Sequence, residues 1–263
     1  MVEGERKNQK DLPFNSGEIK VINNWPWWIT NVDHYSLKLP IFSIGHQDRE
    51  GNEVGIASFV VMHQERKFLS HVGNLLAKAI AENVDKSHRI LLLTSETKGS
   101  SLEPYISLNL EKIIGNRLHQ RKIVFRKGCE KVYMGRPVLL GSRKITPTSV
   151  TYNSITSQEP QTLRLSPDDT ELIFKEMARK TVPVYVDDFI GSGGTIVGVH
   201  RLFAKLGLKS PEIAVVNGSD GLLYEQTFIK ENLKIQLLPQ PLPLRLPTFR
   251  RKIGEQTWRI AEE

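Results

Sequence analysis

Cysteine is almost missing from this chain: Cys129 is the only one in 263 residues. That excludes an intrachain disulfide and suits a reducing, cytoplasmic setting. Long apolar runs are missing too. The longest, such as residues 55–62, are strand-sized, far short of the ~20 residues that cross a bilayer, so no membrane association is expected. The amino terminus, opening Met1-Val2-Glu3-Gly4-Glu5-Arg6-Lys7, has no apolar stretch behind it and does not read as a secretory signal. The 7 histidines show no metal-ligand spacing, so no protein ligand to a metal is expected. Internal repeats and low-complexity tracts are absent.

What is present is an ordinary globular composition, 39% hydrophobic and 25% charged, with a net charge of +7. The positive balance points to anionic partners, either nucleic acid or a small polyphosphate. It is spread along the chain rather than gathered in one run.

From about residue 55 onward, short apolar runs alternate with amphipathic stretches. Residues 55–62 read as a strand. Phe68, Leu69, Val72, Leu75, Leu76, Ala79 and Ile80 then recur at helical spacing. Residues 89–94 form a second strand, 103–114 a helix stopping at Gly115, and 122–125 a third strand. A polar, turn-rich stretch follows over 134–148. Residues 149–155 and 161–165 alternate around Thr156-Ser157-Gln158-Glu159-Pro160 and read as a hairpin. Strand 182–186, helix 195–206, strand 212–216 and strand 234–238 complete the series. Buried strands separated by helices predict an α/β fold with a mainly parallel twisted sheet and flanking helices. The organisation read from this is an N-terminal appendage or hood over 1–54, an α/β domain over 55–240 and an extended, proline-spaced arm over 241–263.

One segment carries most of the chemistry. The apolar strand ending Tyr185-Val186 runs into Asp187-Asp188, then Phe189-Ile190, then Gly191-Ser192-Gly193-Gly194-Thr195, which opens a helix. Two adjacent carboxylates near a buried strand end cost several kcal/mol unless they have partners, so they are expected to face a crevice at the carboxyl edge of the sheet. The glycines let backbone N–H groups approach an anion, and the helix dipole adds to the attraction. Other phosphate loops do not fit: the dinucleotide pattern needs glycine where Ile196 stands, and no Gly-Lys-Ser/Thr loop occurs.

Strand, acidic pair, glycine loop and helix in this order resemble the signature of the type I phosphoribosyltransferases. The likeness is nearest to the adenine- and xanthine-type purine members and to the purine-operon repressor built on the same fold. By that resemblance Asp187 and Asp188 are the catalytic pair that holds the ribose hydroxyls. Gly191, Ser192, Gly193, Gly194 and Thr195 hold the 5-phosphate. Between another strand and helix, Glu96, Thr97, Lys98, Gly99 and Ser100 match the pyrophosphate loop, and Arg126 and Lys127 match a second pyrophosphate contact; carrying that role on to Lys131 fits less well. Residues 134–148, with Arg143 and Lys144, take the place of a flexible lid hairpin.

The family also implies phosphoribosyl pyrophosphate and a nucleobase as partners, a homodimer, and magnesium carried between pyrophosphate and ribose hydroxyls. Two departures stand out. Gly191 occupies the place of an aspartate general base in hypoxanthine-guanine members, and the sequence from Val215 to Gly221 lacks the family's base-contacting residues. Trp25, Trp27, Trp28 and Tyr35 either stack on the base or pack into the core, the second being the plainer reading. The main alternative function is a regulator that binds phosphoribosyl pyrophosphate without turnover and controls nucleic-acid binding. Against it, residues 1–54 show no helix-turn-helix pattern.

Overall fold

The structure, a computed structural model, describes residues 17–32, 34–58, 65–96, 98–127, 138–140, 143–153, 160–218, 222–235, 237–240, 242 and 246–261. Two six-stranded sheets and five helices make up its frame.

The central sheet runs, in chain order, through β5 (Arg89–Ser95), β6 (Ile123–Lys127), β9 (Thr148–Tyr152), β10 (Gln161–Leu165), β11 (Thr181–Ile190) and β12 (Glu212–Gly218). In space the order is β12-β11-β5-β6-β10-β9. The first four of these pair in parallel, whereas β10 is antiparallel to both β6 and β9. In β5 successive residues serve opposite cores: Ile90 and Leu92 face one, Leu91 and Leu93 the other, all at most 2% exposed. That explains why the strand reads as an unbroken apolar run, since helices cover both faces. Burying each such side chain stabilises the fold by roughly 1.5–3 kcal/mol.

The second sheet corrects the expectation of a mainly parallel fold. It is antiparallel, built from β1 (Gly17–Ile22), β2 (Trp25–Val32), β3 (Tyr35–Gln47), β4 (Glu53–Ala57), β13 (Thr248–Arg251) and β14 (Arg259–Ile260). The segments 1–54 and 241–263 thus supply five of its strands. Strand periodicity is weak there because apolar residues stand on both faces: Trp28, Thr30 and Val32 are buried, while Trp25, Trp27 and Ile29 on the other face are apolar as well. Trp28 is fully buried and meets Phe249 edge-on, which settles it as a core residue. Trp25 is 46% exposed and lies against Phe42.

Helices α1 (Arg66–Asn83) and α2 (Lys98–Ile114) share one core with the second sheet and one face of the central sheet. Helices α3 (Pro167–Met177), α4 (Gly194–Leu206) and α5 (Leu222–Lys230) occupy the other face. Ser166 caps α3, accepting the Asp169 N–H at 3.1 Å, with Pro167 in the first turn.

Two local expectations change. Helix α2 begins at Lys98, five residues before the apolar spacing starts, because its first turn is polar and carries no periodic signal. Among the described residues of the run 234–238 there is a single parallel bridge, Ile213 to Leu237, rather than a strand. Within 134–148, a two-stranded hairpin forms from β7 (Val138–Leu140) and β8 (Arg143–Ile145) and lies against α3. Residues 128–137, 141–142 and 154–159, including Cys129, Lys131 and most of the turn at 156–160, lie outside the described residues, as does the end of the 55–62 run.

Candidate active site

The topology creates the site before any side chain is considered. From β5 the chain passes through α2 to β6 on one side, whereas β11 lies on the other side and leads through α4 to β12. The strand order therefore reverses between β5 and β11. In open parallel sheets, that is where a crevice opens beyond the carboxyl ends of the strands. Glu96 follows β5, Arg126 and Lys127 end β6, Asp187 and Asp188 lie in the last turn-ward residues of β11, and Gly191 follows that strand. Three sequence-predicted segments thus converge on one edge.

The acidic pair is enclosed, with Asp187 and Asp188 each 7% exposed. The Asp188 N–H donates to Asp187 Oδ1 at 3.0 Å, and the Tyr185 hydroxyl lies 2.8 Å from Asp187 Oδ2. Burial raises the Asp187 pKa to about 7, with the neighbouring Asp188 charge adding to the rise and Lys127 opposing it. Burial also pushes the Tyr185 phenol well above its ordinary value, and the Asp187 charge reinforces this, so the phenol stays protonated as a donor. An acid poised near neutrality inside a crevice is a common mark of a functional site.

Gly193 and Gly194 explain why the loop after β11 needs glycine. Gly193 is the N-cap of α4 with φ +78°, a left-handed conformation that glycine adopts without strain. A Cβ on Gly194 would lie 1.8 Å from the Asn153 carbonyl oxygen, so α4 can start this close to β9 only without a side chain there. No acidic residue stands in the first turn of α4, so none within that turn offsets the positive end of the helix dipole. Ser192 and Thr195 are half-buried at this turn.

Glu96 takes a role that its sequence context did not disclose. Its carboxylate pairs with the Arg126 guanidinium and accepts the Lys127 N–H at 2.9 Å, while its own N–H donates to the Phe125 carbonyl at 2.9 Å. It thus fastens the end of β5 to the end of β6 and orients Arg126 beside the crevice. Lys98, Gly99 and Ser100 sit in the first turn of α2, so the segment is a helix N-terminus rather than a free loop. Thr97 lies outside the described residues, as do the side chains of Lys98, Arg143 and Lys144. In β12, Asn217 is fully buried and accepts the Gly218 N–H at 2.6 Å, a local backbone brace two residues after Val215.

Tyr185, Ser95 and Thr94 were missed by sequence reasoning. They look like strand filler, and only their hydrogen bonds single them out. A cleft lined by Ile196, His200, Lys209 and Ser210 lies at the start of β12, at the opposite edge of the sheet, and includes none of the expected site residues. Among the described residues no group of three or more His, Cys, Asp or Glu side chains could hold a metal ion. Nor is any described helix long and apolar enough to cross a membrane.

No family model matches the chain, and no curated protein matches it. Solved structures of adenine phosphoribosyltransferases are similar to it. The Thermoanaerobacter pseudethanolicus enzyme matches with a TM-score of 0.43 and 16% identity over 76% of this chain and 94% of its own. The Trypanosoma brucei enzyme, solved with AMP, pyrophosphate and ribose-5-phosphate, matches with a TM-score of 0.42 and 19% identity over 70% and 69%. The Saccharomyces cerevisiae enzyme matches with a TM-score of 0.43 and 13% identity over 75% and 93%.

Proposed function

We propose that this chain is a phosphoribosyltransferase, a pentosyltransferase that moves ribose 5-phosphate from phosphoribosyl pyrophosphate to a nitrogen of a nucleobase, a purine, and releases pyrophosphate. The observation that carries the reading is the buried Asp187–Asp188 pair leading directly into the glycine turn at the N-terminus of α4, at the point where the strand order reverses. Carboxylates accept hydrogen bonds from ribose hydroxyls, and a helix N-terminus free of acidic residues accepts a phosphate. Arg126, held beside the crevice by Glu96, and the N-terminus of α2 provide positive potential for the pyrophosphate.

In this reading the C1–O bond to pyrophosphate breaks with its electron pair leaving on oxygen, and the base nitrogen forms a bond to C1. Positive charge develops on the ribose ring, so orientation and electrostatic stabilisation by the acidic pair supply most of the rate. Gly191 offers no side-chain base, so the proton of the attacking nitrogen leaves by another route. Magnesium would accompany the pyrophosphate and supply countercharge to it. Both oxygens of Asp187 are already engaged within the chain, and no residue is assigned to the metal. A homodimer working in the cytoplasm belongs to the same proposal.

The test is direct. Incubated with magnesium, phosphoribosyl pyrophosphate and a panel of bases, the protein should release pyrophosphate and form a nucleoside monophosphate with at least one purine. Tight binding without turnover on any base would replace the enzyme with a ligand-sensing regulator, and absence of binding would end the proposal.

A further inference from the structure

The backbone ladder between β5 and β11 stops at the pair Leu93 and Tyr185, short of the carboxyl ends of both strands. Beyond it, side chains take over the connection. Thr94 donates its hydroxyl to the Val186 carbonyl at 3.2 Å, and the Tyr185 hydroxyl lies 2.9 Å from Ser95 Oγ and 2.8 Å from Asp187 Oδ2. A phenol has one proton. The arrangement that satisfies all three groups has Tyr185 donating to the Asp187 carboxylate and accepting from Ser95.

The ring that carries this hydroxyl is fixed. Tyr185 is fully enclosed and lies nearly parallel to Phe125, with ring centroids 6.0 Å apart and planes 17° from each other. Because Asp188 N–H holds the other Asp187 oxygen, the carboxylate is clamped at both ends and cannot turn about its own bond without breaking a buried hydrogen bond. The ring alone would fill the same space, so the hydroxyl serves polar pairing and not packing.

We infer that Tyr185 is a positioning residue, which fixes the orientation of Asp187 and, through Ser95, ties the acidic end of β11 to the end of β5. The inference rests on the proposed function in one respect, that Asp187 and Asp188 receive a ribose. The segment from Glu96 to Ser100 departs from β5 one residue after Ser95. The bridge therefore sets the spacing between the grip on the sugar and the grip on the pyrophosphate, a spacing that the backbone ladder no longer controls. Asp188 and Lys127 are the charged neighbours that act on Asp187 across this crevice.

The experiment compares wild type with Tyr185→Phe, which removes one oxygen and keeps the ring, and with Ser95→Ala, which cuts the link to β5 and keeps the bond to Asp187. Calorimetry measures binding of ribose 5-phosphate, and of phosphoribosyl pyrophosphate with magnesium, from pH 6 to 9. Carbon NMR follows the Asp187 carboxyl in the protein without ligand. Tyr185→Phe should weaken both ligands about tenfold at neutral pH, the expected loss for a hydrogen bond to a charged group. It should also move the Asp187 titration upward, because the hydroxyl proton no longer favours the carboxylate. Ser95→Ala should weaken phosphoribosyl pyrophosphate more than ribose 5-phosphate, since it loosens only the tie between the two grips. A side chain that merely packs gives wild-type affinities and an unmoved Asp187 titration in Tyr185→Phe, and that result overturns the inference. Should Tyr185→Phe not fold, equal weakening of the two ligands in Ser95→Ala, or no weakening of either, overturns it instead. If wild type binds neither ligand, the proposed function fails separately, and the Asp187 titration still decides whether Tyr185 controls the acid.

Discussion

Buried acids mark both ends of β11, and they are treated in opposite ways. Near its start, Glu176 is 2% exposed and held by Arg89 at 3.3 Å, Arg179 at 3.1 Å, the Thr181 hydroxyl at 3.0 Å and the His119 ring at 3.8 Å. Near its finish, Asp187 is held by a neutral phenol and a backbone N–H, beside a second carboxylate. The first arrangement neutralises a charge and joins α3 to two strands. The second keeps a charge poorly compensated, which raises its pKa to about 7 and leaves the crevice able to gain from an incoming donor. One acid stabilises the fold; the other costs stability in favour of binding.

That contrast can be broken most severely at Gly194. Alanine there places Cβ against the Asn153 carbonyl, and backbone cannot yield as a side chain tip can. The turn must shift, so Gly194→Ala should abolish measurable binding of ribose 5-phosphate and destabilise by about 3 kcal/mol, read by calorimetry and urea unfolding. Unchanged binding would mean that the turn is not the phosphate grip.

Glu176→Ala should cost about 2–3 kcal/mol, because it removes several hydrogen bonds from one buried carboxylate, although the partly exposed arginines recover hydration. Ligand affinity should stay within twofold of wild type. A large loss of affinity would show that the two ends of β11 are coupled and not separate.

Asp187→Asn should act in the reverse sense. Asp187 has a folded pKa above its unfolded value, so between about pH 4 and 7 the folded chain holds a proton that the unfolded chain has released. Stability from this group is therefore full at low pH and falls as pH rises through that window. Asparagine removes the fall. The variant should be more stable than wild type at pH 8 and equal to it at pH 4, by urea unfolding, while binding ribose 5-phosphate at least tenfold more weakly. A variant less stable than wild type at pH 8 would show that the carboxylate is better compensated than its surroundings suggest.

Much of the central sheet was legible because burial on both faces leaves runs such as Ile90 to Leu93 that no surface element carries. The acidic pair and glycine turn were legible because their residue types are costly anywhere else. The second sheet was not. In β2 apolar Trp25, Trp27 and Ile29 alternate with the buried Trp28, Thr30 and Val32, β1 and β14 have no buried residue, and β13 pairs with β4 across about three quarters of the chain length, a contact with no local signal. The first turn of α2 was hidden by its polar residues, which carry no apolar spacing.

By itself, then, the sequence determined the alternation of strands and helices and the position of the acidic pair and of the glycine turn, all of them properties of neighbouring residues along one chain; that residue 194 must be glycine was decided by the Asn153 carbonyl packed against it. Only the tertiary structure decided that Glu96 braces Arg126, and that Tyr185 reaches from β11 to Ser95 and turns Asp187 into place. Those partners are 30, 90 and 2 residues apart, and even the nearest pair means little until packing against Phe125 fixes the ring. A hydrogen bond depends on distance and angle in space, and residue types alone specify neither.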